Sequence, residues 1–178
     1  SPIIEYSKRE FYNHELKPLR TPKASERLDP PLIDVLVEDG YRRPDGKVNL
    51  PEARFIVNEI RSIAEDTDMA SRSIGVVSLL GNEQAFEVWD RLTRELGPEL
   101  MARHDIACGD ARTFQGKERD IMFLSMVAAP NNVGAAPSQA MFDQRYNVAA
   151  SRARDRMYLV RSVSIDDLSA ADRLRRGL

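Results

Sequence analysis

Short β-branched runs alternate with segments of helical period along this chain, and no other feature limits its fold as tightly. Residues 32–37, 74–80, 121–128 and 157–160 are mostly apolar runs, interrupted only by Asp34, Ser78 and Ser125, with the length of buried strands. Between them, Ala53, Ile56, Val57, Ile60 and Ala64 recur at three- and four-residue spacing, as do Ala85, Val88, Trp89, Leu92 and Leu96. A third helix is expected at 141–154, with Phe142, Tyr146, Ala149, Ala150, Ala153 and Met157 as its buried stripe. Residues 106–108 add a short strand. Alternation of this kind implies an α/β fold, a mostly parallel sheet with helices on both faces. Ligands of such sheets lie at the carboxyl ends of the strands, so the loops after Leu80, Gly109, Val127 and Val160 are the places to search.

Gly97-Pro98 is expected to stop the second helix, and 131–137, rich in Asn, Gly and small residues, reads as a loop. Residues 2–13 read as a helix, with Pro2 suited to its first position, and 166–176 as a helical tail. The stretch 16–51 is irregular apart from the run 32–37, and it holds six of the ten prolines. A chain of 178 residues can bury about 70% of its unfolded surface, enough for one substantial core, so one domain is expected over 1–178. The chain opens at Ser1-Pro2 directly into a helical pattern and closes at Arg175-Arg176-Gly177-Leu178 beside a charged helical segment. It therefore reads as a piece of something larger.

Several function classes are disfavoured. No apolar run approaches the roughly 18 residues of a membrane span, so no membrane partner is expected. Cys108 stands alone, which suits a reducing, cytoplasmic setting. With 26 basic and 28 acidic side chains the net charge is −2, so nucleic acid is not held by bulk basicity, although a local basic groove is compatible with it. His14 and His104 are far apart and lack Cys, Asp or Glu at ligand spacing, so no metal site is expected. Gly116-Lys117 imitates a phosphate loop, but Glu118 follows where a hydroxyl must bind Mg²⁺, and position 111 is Ala rather than Gly. The chain carries no phosphate loop.

Two segments stand out. Residues 109–120 lead from a short strand through a polar loop into the run 121–127. Gly116 permits a left-handed turn or close backbone approach, Thr113 can donate to a phosphate oxygen, and Glu118 can accept from a sugar hydroxyl. The second segment is 144–154, in which Arg145 and Arg152 stand seven residues apart, two turns, and point the same way. Small alanines let this helix lie close to the sheet, and paired guanidinium groups suit bidentate phosphate contact. From the residues alone, charges that merely face water are the default reading of both segments.

Thr113-Phe114-Gln115-Gly116-Lys117-Glu118-Arg119-Asp120, with Arg145-Tyr146-Asn147-Val148-Ala149-Ala150-Ser151-Arg152-Ala153-Arg154, resembles the fifth and sixth motifs of superfamily 1 helicases. The likeness is to the nonsense-decay and Okazaki-processing branch, and within it to large bacterial helicase-like proteins with an added nuclease-like domain. Residues 74–84 fit the fourth motif, and 4–19 fit the stretch after the third. The resemblance implies the second RecA-like domain of a motor whose first RecA-like domain supplies the phosphate loop and the Mg²⁺ carboxylates. ATP and Mg²⁺ would bind only between the two, and single-stranded DNA or RNA would be the other partner. Arg152 would be the arginine finger at the γ-phosphate. Gly116, Glu118 and Arg145 would line the nucleotide cleft, with Glu118 at the ribose. Gln115, together with Arg145, would couple that cleft to the strand-binding face. Ser78 and Thr113 would touch nucleic-acid phosphates. Ser151 stands where the family usually has Thr, and Leu79-Leu80-Gly81 replaces its common Pro and polar residues. The rival reading is a non-catalytic RecA-like module that binds nucleic acid or protein.

Overall fold

Apolar residues on both sides of each central strand require cover on both sides of the sheet, and the computed structural model provides it. It describes residues 28–45, 47–131 and 138–164. The helices expected at 2–13 and 166–176 and the loop 132–137 lie outside these. Strands β1 (Leu32–Leu36), β2 (Ile74–Ser78), β3 (Ala107–Gly109), β4 (Arg119–Ser125) and β5 (Ala153–Arg161) form one sheet in the order β1-β5-β4-β2-β3. Every neighbouring pair is parallel. Helices α1 (Leu50–Glu65) and α2 (Glu83–Arg103) cover one face, packing Ala53, Ile56, Ile60, Val88 and Leu92 on Ile74, Val76, Ile121, Phe123, Tyr158 and Val160. Helix α3 (Gln139–Arg152) covers the other, packing Phe142, Tyr146, Ala149 and Ala150 on Val77, Met122, Leu124, Met157 and Leu159. Successive strand residues thus feed opposite cores, as the pleat requires.

Local signals explain most boundaries. Asn49 caps α1, its side chain accepting from Glu52 N at 3.2 Å, and Pro51 sits in the first turn, where its missing N–H costs nothing. Gly97 leaves helical geometry at φ 78° and ψ 169° and stops the first part of α2 as expected, so α2 is two helical stretches joined at a kink. Pro98, with φ already fixed for a first turn, starts a further stretch to Arg103 that buries Met101. Trp89 also departs from expectation. Ala85, Val88 and Leu92 face the sheet, whereas Trp89 sits on the shoulder of the helix, 40% exposed.

The third helix is shorter than its sequence pattern suggests. It ends at Arg152, and Ala153 turns extended (φ −82°, ψ 124°) to begin β5 with no intervening loop. Ala153 and Met157 are buried as expected, but as strand residues. Ion pairs favour the strand: Arg154 meets Asp120 of β4 at 2.7 Å, and Asp155 pairs with Arg72.

Strand β3 neighbours β2 while β4 lies on the other side of β2, so the 110–118 connection must cross β2 on the α3 face. Phe114, fully buried, sits over Gly75: a Cβ there would lie 2.7 Å from the Phe114 ring and 2.6 Å from the Met122 sulfur. Gly75→Ala is therefore expected to destabilise the chain by about 1–3 kcal/mol through overpacking, read as a lower urea midpoint at unchanged slope.

Candidate functional site

The crossover and α3 run side by side on one face of the sheet, and a cleft of about 350 Å³ opens between them. Ala111, Arg112 and Gln115 line it from the crossover, and Gln144, Arg145, Val148 and Arg152 line it from α3. On the helix these positions fall at i, i+1, i+4 and i+8, one face of a 3.6-residue period. Ser138 caps the helix by accepting from Met141 N at 3.1 Å, while Phe142, Tyr146, Ala149 and Ala150 hold the opposite face on the sheet. The arginines are thereby fixed to a rigid element.

A compact turn shapes the crossover side. Asp110, 7% exposed, accepts from Arg112 N at 2.9 Å, from Thr113 N at 3.2 Å and from the Arg112 guanidinium at 3.1 and 3.2 Å. Burial pushes its carboxyl pKa up, but the Arg112 and backbone hydrogen bonds outweigh this and hold it below the usual carboxylate range. Lys117 N then donates to Phe114 O at 3.0 Å with Gly116 at φ +76°, the geometry of a type II turn, which needs glycine at that position. Gln115 occupies the preceding corner of the turn, at the cleft.

Charge decides what this cleft can hold. Neither Arg145 nor Arg152 is paired with a carboxylate among the described residues, and Arg152 Nε is buried without a hydrogen-bond partner. The third arginine of the lining, Arg112, is by contrast held by Asp110, as Arg119 is by Asp105, Arg154 by Asp120 and Arg161 by Asp34. Two unmatched guanidinium groups beside two neutral amides form a site for an anion with several oxygens, and phosphate meets that description.

The residues singled out from the sequence are only partly brought together. Gln115, Arg145 and Arg152 converge on the cleft. Gly116 builds the turn beside it, and Glu118 is exposed beyond its lining. Thr113 is exposed, its hydroxyl donating to Asp110 Oδ1 at 3.4 Å, and it packs over Gly109. Ser78 is fully buried with its hydroxyl directed to Leu80 O at 3.4 Å, so it presents no surface to a nucleic-acid strand. Arg112, Gln144 and Val148 were not singled out, although the helical period through Arg145 and Arg152 was enough to find the last two. Of the four carboxyl-end loops, the one after Gly109 contributes to the cleft among the described residues.

The carboxyl edge at β4 and β5 is filled from within. Glu52 is fully buried, and its carboxylate accepts from Ser125 Oγ (2.9 Å), Val127 N (3.0 Å), Asn49 Nδ2 (2.9 Å) and Ser162 Oγ. Burial pushes its pKa up from the ordinary 4.5 to about 7, against the pull of these hydrogen bonds. Gln84 extends the network, accepting from Asn49 N and donating to Asn49 O, both at 2.9 Å, and donating to Ser125 Oγ at 3.2 Å. Sequence reading missed Glu52, since one acidic residue in a first helical turn looks like ordinary dipole compensation.

A family model described as an AAA domain matches residues 1–164 of the chain. No curated protein matches it.

Proposed function

This chain belongs to the AAA-domain family, and from that premise we propose that it is the C-terminal motor half of an ATP-dependent DNA or RNA helicase or translocase. The observation that carries the reading is the cleft on which Arg145 and Arg152 converge with Gln115, neither arginine having a carboxylate partner among the described residues. Phosphoryl transfer concentrates negative charge on the departing oxygens, and catalysis there is mostly positioning and electrostatic stabilisation. Arg152, at the last residue of α3, acts as the arginine finger. Arg145, two turns earlier, holds a second phosphate oxygen. Gln115, on its fixed turn, joins this cleft to the surface that carries Thr113, which touches the backbone of a single strand.

Magnesium neutralises phosphate charge in such reactions. Among the described residues no group of three or more His, Cys, Asp or Glu side chains is placed to hold it. In this reading its ligands and the phosphate loop come from a first RecA-like domain. The chain alone is then expected to release no phosphate from ATP above background, whereas one polypeptide carrying both halves is active. Comparable turnover by the pure chain and the two-domain protein, measured as phosphate release, counts against the proposal.

A further inference from the structure

Val127 is the one β-branched residue with positive φ among the described residues, at 66°. Ala128 N donates to Met126 O at 2.7 Å, which closes a three-residue γ-turn about Val127 in its rare, strained sense. Such a conformation persists only where surrounding structure imposes it. Here both backbone groups of Val127 are tethered by one helix start. Its N–H donates to Glu52 Oε1 and its carbonyl accepts from Asn49 Nδ2, each at 3.0 Å. Asn49 and Glu52 stand at the N-cap and third helical positions of α1, where such a pair commonly satisfies its own helix end. Asn49 still does so, but the Glu52 carboxylate is turned away to the β4 exit.

The turn lies where the chain leaves β4 on its way to α3. Met126 and Ala128, on either side of Val127, are fully buried in the same core as Phe142, Tyr146 and Ala149 of α3. The φ of Val127 therefore sets how these two residues seat the helix that carries Arg145 and Arg152. Ser162, bonded to both Asn49 (3.0 Å) and Glu52, joins the exit of β5 to the same clamp.

We propose that Glu52, with Asn49, is a positioning residue for the arginines of α3, acting through the strained turn at Val127. Its catalytic consequence rests on the motor reading; the clamp itself does not. Glu52→Gln tests it because the two oxygens face two obligate donors, Val127 N–H and the Asn49 amide. Whichever way a glutamine lies, its NH₂ opposes one of them: either the Val127 N–H loses its acceptor, or the Asn49 amide is pushed from the position in which it holds the Val127 carbonyl. Amide hydrogen exchange on the 178-residue chain should then quicken roughly tenfold at Val127, Ala128 and α3, with β2 and the part of α2 beyond Val88, remote from the network, unchanged. Val127→Gly adopts positive φ without strain but leaves a cavity, Val127 being fully buried, so it serves as a reference background in which adding Glu52→Gln should speed α3 exchange far less than it does in the parent chain. Asn49→Ser keeps a helix cap but loses the amide on the Val127 carbonyl, so it should give the same local signature even if Glu52→Gln fails to fold.

Uniformly faster exchange, unchanged exchange in α3, or an equally large effect of Glu52→Gln in the Val127→Gly background would overturn the clamp. In the two-domain protein Glu52→Gln should lower kcat at unchanged KM, and should lower it less in the Val127→Gly background. If Arg152→Ala abolishes turnover while Glu52→Gln leaves kcat intact, the positioning role is rejected. If Arg152→Ala leaves turnover intact, the motor reading is what fails, and the exchange data judge the clamp by themselves.

Discussion

Arg152→Ala in the two-domain protein is expected to lower ATP turnover by roughly 10³–10⁵-fold while nucleotide affinity changes only a few-fold. The size follows from what the side chain does. A finger meets charge that develops in the transition state, so its removal lowers kcat more than ground-state binding. Its anchoring supports the same expectation: Arg152 ends α3, whose opposite face is sealed by Phe142, Tyr146, Ala149 and Ala150, and its Nε is buried without a hydrogen-bond partner among the described residues. Arg152→Lys should recover little, because an ammonium on a flexible stem does not reproduce a planar fork. Steady-state phosphate release and binding of a fluorescent ATP analogue separate the two effects. Unchanged turnover in Arg152→Ala removes it as the finger.

Raising the pH from 4.5 to above 7 is expected to destabilise the chain by up to ~3 kcal/mol through Glu52. Its carboxyl titrates near the ordinary 4.5 when unfolded and at about 7 when folded, which at about 1.4 kcal/mol per pH unit gives that figure. Because the folded value is the higher one, the stabilising contribution is complete below pH 4.5 and is lost as the pH climbs through 7. The partners facing the carboxylate are Asn49, Ser125, Ser162 and the Val127 N–H, none of which titrates in this window or carries charge to offset it. Glu52→Gln should flatten this part of the profile. Urea unfolding at pH 4.5, 6 and 8 on both proteins measures it, and parallel profiles would refute the assignment.

Much of the architecture could be read in advance, for reasons that differ along the chain. Strands β2 and β4 were legible because a run buried on both faces must be continuously apolar. The body of α1 was legible because its stripe repeats with the helical period. The end of α3 was misplaced because Ala153 and Met157 continue that period, while the pairs Arg154–Asp120 and Asp155–Arg72, which draw the chain into β5, join residues distant in sequence. Trp89 was misassigned for a related reason. A spacing identifies a face of a helix, and the packing angle decides which edge of that face is covered.

The site divides in the same way. Parts of the candidate site were legible in the sequence: two arginines two turns apart, and a polar loop with glycine where its turn needs positive φ. These are local properties, set by residue type and by the short-range geometry of turns and helices. Only the tertiary structure decided that Gln115 joins the arginines, that Ser78 is sealed in the core and that Glu52 clamps the β4 exit. Each depends on the crossing of β2 by 110–118 or on the meeting of α1 with β4, contacts between segments far apart in the chain. Such contacts are chosen by burial and by hydrogen-bond satisfaction across the whole fold, which no local stretch encodes.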